Sequence, residues 1–333
     1  MAKNSNQAGG RHSVGAPHAP RAKVILAFAA IYLIWGSTYL AIKIAIETIP
    51  PLFVAAGRFL AAGLLLHIFA RLHTSERPTR VHWRNAAIIG SLLFLAGTGA
   101  LTWSEQYVPS GLAALLLAII PLWMVLLHHL EIRRGLGWPL VLGLVLGLAG
   151  IALLVGPQKL LGGARIPFVG AAVLIGGSIC WSVGSLRSRR VAMPKSSLLA
   201  ASMEMLAGGA GLVVVGIVSG EGRALIHATI SARSVLGVAY LIVFGSLLGF
   251  NSYHWLLKVS TPSRVATYAY VNPVIAILLG WVFGGEAMNL RTLVATVIIV
   301  TAVAIIITHQ ARAEAAKDLQ ELPASGELPE TVV

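Results

Sequence analysis

The sequence predicts an all-α integral membrane protein with ten transmembrane helices in two inverted five-helix repeats, and three observations lead there. Hydrophobic residues make up 57% of the chain and charged residues 11%, with a mean hydropathy of +0.82. That balance leaves too little charge to coat a water-soluble domain. Apolar runs of about 18 to 25 residues recur, each long enough, at about 1.5 Å rise per helical residue, to cross a hydrocarbon core of about 30 Å. The third observation is an internal duplication. "GRFLAAG" at 57–63 lies over "MEMLAGG" at 203–209, and "TWSEQYVPSGLAALLLAIIPL" at 102–122 lies over "HWLLKVSTPSRVATYAYVNPV" at 254–274.

Residues 1–23 are polar, basic and rich in Gly, Pro and His, and read as a disordered cytoplasmic tail. The apolar run behind them is longer than a signal-peptide core and lacks a clear cleavage site. Breaks made by charge, Pro and Gly divide the first repeat, 24–156, into helices at 24–46, 52–71, 85–104, 109–130 and 138–156. The second repeat, 167–309, divides into 167–186, 198–219, 233–257, 262–284 and 289–309. Five helices per half make the second half enter the membrane from the opposite side, an architecture of secondary transporters. The acidic stretch 310–333 reads as a disordered tail.

Charge placement sets the orientation. The net charge of +13 gathers on one side, in the N-terminal tail, in Arg71 to Arg84, at Arg133 and Arg134, in Arg187 to Lys195, at Lys258 and Arg264, and at Arg312 and Lys317. The other side holds only Lys159, Arg165, Arg223, Arg233 and Arg291. Positive residues stay inside, so both termini are expected in the cytoplasm. The basic excess is then an orientation signal and a contact for lipid headgroups rather than a nucleic-acid surface. The single cysteine, Cys180, lies in an apolar run as a packing residue, and no cluster of ligands points to a metal or cofactor.

Several residues interrupt the apolar pattern. Pro121 and Pro273 fall at matching points of the repeat near mid-helix, where a proline frees the carbonyl four residues earlier, so both are expected to break their helices at the membrane midplane. Trp35 and Tyr39, one turn apart, share one face of the first helix, and the repeat lays Trp35 over Trp181 as a pair of cavity walls. Gly36 lets a neighbouring helix approach. Aromatic rings mixed with hydroxyls and amides, at Trp103 in the third helix, Tyr253 in the eighth and Tyr268 and Asn272 in the ninth, suit a small amphipathic solute. Lys43, one turn before Glu47, is expected to pair with it. Arg58 and Glu204 lie inside helices, where a charge needs a partner or a wet cavity. Arg58 is assigned Glu47 or a substrate carboxylate, and Glu204 a proton or Arg187. Glu204, His254 and Glu105 are the groups through which a proton could act as coupling ion.

The stretches "IYLIWGSTYLAIK", "PPLFVAAGRFLAAGLLL", "PSGLAALLLAIIPLWMVLL" and "TPSRVATYAYVNPVIAILLGWVFGGEAM" together resemble the EamA family of the drug/metabolite transporter superfamily over residues 24 to 309. The resemblance implies helices 1, 3, 4, 6, 8 and 9 around a central cavity, lined by Trp35, Thr38, Tyr39, Trp103, Trp181, Tyr253, Tyr268 and Asn272. It also implies export of amino acids, related metabolites or toxic analogues across the bacterial inner membrane by a monomer or homodimer. Efflux of amphipathic cations is the alternative within the class, and a membrane-embedded enzyme the alternative outside it. One departure stands out: the second repeat has "WSVGS" where the first has "WGST".

Overall fold

The computed structural model describes residues 20–133, 137–155, 168–188, 190–260, 265 and 267–320, and every regular element among them is helical. The helices are α1 (Arg21–Ala45), α2 (Pro51–His73), α3 (Arg80–Gly90, widening to π-helical turns over Ser91–Thr98, then Gly99–Ser104), α4 (Ser110–Leu117) and α5 (Ile120–Ile132). They continue with α6 (Trp138–Val155), α7 (Phe168–Ser188), α8 (Ser197–Val218) and the short α9 (Glu221–His227). α10 (Ala232–Tyr240) widens over Leu241–Leu248 before Gly249–Val259, and α11 (Tyr268–Phe283) and α12 (Leu290–Gln320) complete the chain.

Eight segments are long and apolar enough to cross a membrane, among them Arg80–Ser104 and Ser110–Glu131, the latter running through α4 and α5. Trp138–Leu153 and Tyr268–Phe283 are apolar but shorter, and both adjoin residues outside the described set. The chain is a multi-pass membrane protein.

The helix limits differ from the sequence expectation where side chains act on the backbone. α3 begins at Arg80 rather than 85 because Thr79 and His82 form a reciprocal capping box, each side chain accepting the other's backbone N–H. α12 runs to Gln320 instead of ending at 309, because "ARAEAAKDLQ" is rich in Ala, Glu, Lys and Leu, which favour helix. The expected tail 310–333 is therefore helical in its first part, and residues 321–333 and 1–19 lie outside the described set. The fourth span breaks at Ala118 and Ile119, just ahead of Pro121. Pro273 does not break its helix: α11 runs through it, starting only five residues earlier. Few turns precede this proline, so it disturbs little of the helix.

α2 packs along α8, α6 along α12, and α1 along α11. Where α3 crosses α8, a side chain on Gly90 would strike the Glu204 carbonyl and one on Gly208 the Gly90 carbonyl, so the backbones touch. Loop carboxylates cap the α2 and α8 helices crosswise. Glu76, after α2, accepts the N–H groups of Lys195 and Ser196 immediately ahead of α8, at 2.9 and 3.1 Å. Glu221, after α8, accepts the Leu52 N–H in the first turn of α2 at 2.8 Å. Carboxylates suit these positions because the free amides and the helix dipole both favour negative charge. The amide donors of Lys195 and Ser196 hold the Glu76 carboxyl below its ordinary range.

Replacing Gly90 with Val forces α3 and α8 apart and is expected to cost about 1–3 kcal/mol. The check is a melting curve in detergent, which should shift down by several degrees; an unchanged midpoint would refute the backbone contact.

Candidate functional site

A central cavity of about 130 Å³ lies between the first-half and second-half helices. α1 contributes Trp35, Thr38 and Tyr39, which fall on one face because three- and four-residue spacings complete a helical turn. The wall continues with Trp181 of α7, Tyr268 and Asn272 of α11, Arg58 and Phe59 of α2 and Phe250 of α10. Gly97 and Thr98 in the wide turns of α3, and Leu117 and Ile120 at the break between α4 and α5, fill the remaining wall.

Trp35 is the hub of the aromatic lining. Its ring lies 5.0 Å from Tyr268, edge-on at 86°, and 5.3 and 5.5 Å from Tyr253 and Phe250. Its indole N–H donates to the Gly245 carbonyl at 3.2 Å. That carbonyl sits in the wide turns of α10, where a π-helical segment disturbs the regular ladder. Gly36 meets α11, since a side chain there would hit Ile275. Ser37 turns the other way, donating to the Ile34 carbonyl at 2.8 Å and lying 2.6 Å from the Tyr240 hydroxyl. Thr38 returns its hydroxyl to the Trp35 carbonyl at 2.7 Å, and its methyl lies against Gly245 of α10.

Two polar groups in the wall stand out. Arg58 is 7% exposed, donates from Nε to Ser246 Oγ at 2.9 Å, and has no carboxylate partner among the described residues. Its expected partner Glu47 instead meets Arg233 at 3.5 Å, because α1 ends at Ala45 and the following turn carries Glu47 towards the start of α10. Asn272 is 5% exposed and its Oδ1 is buried without a hydrogen bond. A buried cation and a buried acceptor, both short of partners, are what a bound solute with opposite charges would complete.

The remaining sequence candidates lie outside this wall. Trp103 packs on Tyr107 at 5.1 Å, two residues past Leu101, the last cavity-lining residue of α3. Tyr253 stands behind Trp35 and Tyr268. Glu204 lies on α8 where its own carbonyl meets Gly90, with no hydrogen bond or ion pair to its carboxylate among the described residues. The side chain of His254 is outside the described set. Phe59, Phe250 and Ser246 were missed, and no spacing rule marks them, since they are selected by helix contacts over long sequence distances.

A second polar cluster closes the end of the bundle where α1 finishes. Lys43 pairs with Glu286, Nζ to Oε1 at 2.8 Å, rather than with Glu47. The same carboxylate accepts the Ser110 N–H and hydroxyl, both at 2.7 Å, and the Gly111 N–H at 3.0 Å, capping α4. Burial opposes the Glu286 charge, but Lys43 and these donors outweigh it and hold the carboxyl below its ordinary range. Glu105, one residue past the α3 span, is 5% exposed, and neither of its carboxylate oxygens has a partner among the described residues. Burial first, and then the charge of Glu286, push it well above the ordinary carboxylate range, against a smaller pull from Lys43.

The cavity, the broken fourth span and the two wide-turn helices can be set beside known proteins. The EamA-like transporter family profile matches residues 22–156 and again 168–308. The chain belongs to this family. A relative from Escherichia coli K12, named "Uncharacterized inner membrane transporter YedA", is 40% identical over 280 residues, covering 83% of this chain and 88% of its own. "Uncharacterized transporter YvbV" of Bacillus subtilis is 26% identical over 300 residues, covering 89% and 95%. A solved crystal structure matches with a TM-score of 0.58 at 22% identity, covering 89% of this chain and 100% of its own, and at that identity speaks for the fold alone.

Trp35→Phe keeps a ring in the cluster but removes the donor to Gly245, and is expected to cost about 1 kcal/mol. Trp35→Ala should cost about 3–5 kcal/mol by emptying the cluster. Melting curves of the two variants in detergent check the order, which should be wild type, then Phe, then Ala.

Proposed function

We propose that this protein is a secondary transporter with ten spans in two inverted five-helix repeats, 24–156 and 167–309, both termini cytoplasmic. In this reading it exports amino acids, related small metabolites or their toxic analogues across the inner membrane by alternating access. Counting α6 and α11 as spans gives five per half. Three features favour the inverted relation. Contacts exchange consistently between halves: α2 with α8 and α6 with α12 pair across them, while α1 meets α10 and α11 much as α7 meets α3 and the α4–α5 pair. The rare π-helical segments fall in corresponding helices, α3 and α10. Glu76 and Glu221 cap each other's halves reciprocally.

The observation that carries the substrate class is the pairing, in one aromatic wall, of Arg58 without a carboxylate and Asn272 with an unsatisfied acceptor. A guanidinium binds a carboxylate through paired hydrogen bonds. An ammonium group can donate to Asn272 Oδ1 and lie over the faces of Trp35 or Trp181. A zwitterion satisfies both groups, whereas a cationic dye would bring a second positive charge towards Arg58. The family and the named relatives are transporters, which favours a carrier over an enzyme.

Counterflow in proteoliposomes, with a panel of amino acids and cationic dyes, tests this reading. Saturable amino-acid exchange is expected for wild type, falling about tenfold or more in Arg58→Gln, since a hydrogen bond to a charged group contributes about 1.5–3 kcal/mol. Trp35→Ala is also expected to lose exchange. Exchange of dyes without amino acids would replace the zwitterion with the cation reading, and saturation of flux separates a carrier from a channel.

A further inference from the structure

We propose that Glu105 is a proton-binding site whose occupancy keeps the α1-terminal end of the transport path closed, with Glu286 and Lys43 as its fixed charged surroundings. The inference rests on the transporter reading and names its coupling ion.

The geometry sets the charge count. One lysine faces two buried carboxyl groups. Glu286 takes the Lys43 ammonium and three further donors from Ser110 and Gly111, so its negative charge is fully compensated. Glu105 receives none of them, although both its oxygens are buried. An uncompensated carboxylate in such a place is costly, whereas the neutral acid is tolerated. The closed cluster therefore carries one exchangeable proton, on Glu105.

The ionisable groups within electrostatic reach of Glu105 are Glu286 from the loop after α11, and Lys43 and Tyr39 from α1. α2 and α7 also pack on this end of α3. α2 brings Arg58, which is engaged by Ser246, and holds its histidines and Arg71 towards its opposite end. α7 carries Arg187 in its last turn, at the far side of the bundle. Tyr39 also lines the cavity, so the solute path and the proton site share a side chain.

The same groups join the ends of four elements, α1, α3, α4 and α11. Opening this end separates them and admits water to Glu105. A hydrated carboxyl ionises at an ordinary pH, and the proton passes to bulk water; closing requires it to be taken back. Low pH therefore favours the closed end and rising pH the open one. With one proton linked, the open-to-closed ratio rises by at most tenfold per pH unit between the two ionisation points.

The duplication gives the site a side. The register that lays Trp103 over Trp255 and Pro121 over Pro273 lays Glu105 over Leu257 and Glu286 over Arg134. The equivalent place in the other half carries no acid, so this proton site has no counterpart at the opposite mouth.

The test uses full-length protein in proteoliposomes with Cys180→Ser and a reporter, Leu112→Cys, at the α1-terminal end. Maleimide labelling is followed from about pH 6 to about pH 9 after correction for thiol ionisation. Wild type should label faster with rising pH, by up to tenfold per unit. Glu105→Gln, which mimics the neutral acid, should label slowly at every pH and exchange solute without responding to a pH gradient. Flat labelling in wild type, or a pH response retained in Glu105→Gln, would overturn the proposal. A pH response in labelling with no solute exchanged by wild type would instead sink the transporter reading and leave the proton site standing.

Discussion

Inside an apolar bundle a bare amide or carbonyl costs several kcal/mol, so wherever a helix stops or widens something has to meet the freed groups. This chain meets some of them locally, with Thr79, Ser196, Ser231 and Asn289, and others with side chains from far away in sequence. Glu286 takes the free amides at the start of α4, Glu76 those ahead of α8, and Glu221 one in the first turn of α2. Trp35 meets a carbonyl in the wide turns of α10. Against that background the exceptions are informative. Among the described residues Asn272 Oδ1, Ser104 Oγ and both oxygens of Glu105 are buried and unmet, the first in the cavity wall and the others at the end of α3.

The two wide-turn segments shape the cavity as well as its wall. Each holds eight residues in π-helical turns, in α3 and in α10. Gly97 and Thr98 of the first face the cavity directly. Gly245 and Ser246 of the second hold Trp35 and Arg58, so the two halves contribute in different ways to one site. The wide turns recur in both halves but carry different side chains.

Much of this was legible in the sequence, and the rest was hidden for physical reasons. Hydropathy marks the spans because the lipid imposes length and polarity on each of them. The face of α1 bearing Trp35 and Tyr39 follows from helical spacing, and the family resemblance adds Thr38 to it. Pro121 marks a break because the ring removes a donor, yet Pro273 does not, being close to the start of its helix. What sequence spacing could not supply was partnership. Lys43 has Glu47 one turn away and still pairs across more than two hundred residues with Glu286, because α1 ends between the first two. Wide turns leave no hydropathy signature, and the capping carboxylates sit in polar loops where any acid looks like surface. Trp103 resembled its repeat partner in sequence but lies beyond the cavity, against Tyr107.

The crosswise caps of α2 and α8 have a mechanical meaning. Glu76 ties the first half to the second at one surface of the bundle, Glu221 ties the second to the first at the other, and between them α2 and α8 run in continuous contact. A seam tied at both ends and in contact between them is the part of the bundle least free to separate. In the alternating-access reading proposed above it would serve as the axle. α1 and α11, joined at one end by Tyr32 and Thr267 and at the other by Lys43 and Glu286, would then be the pair that moves.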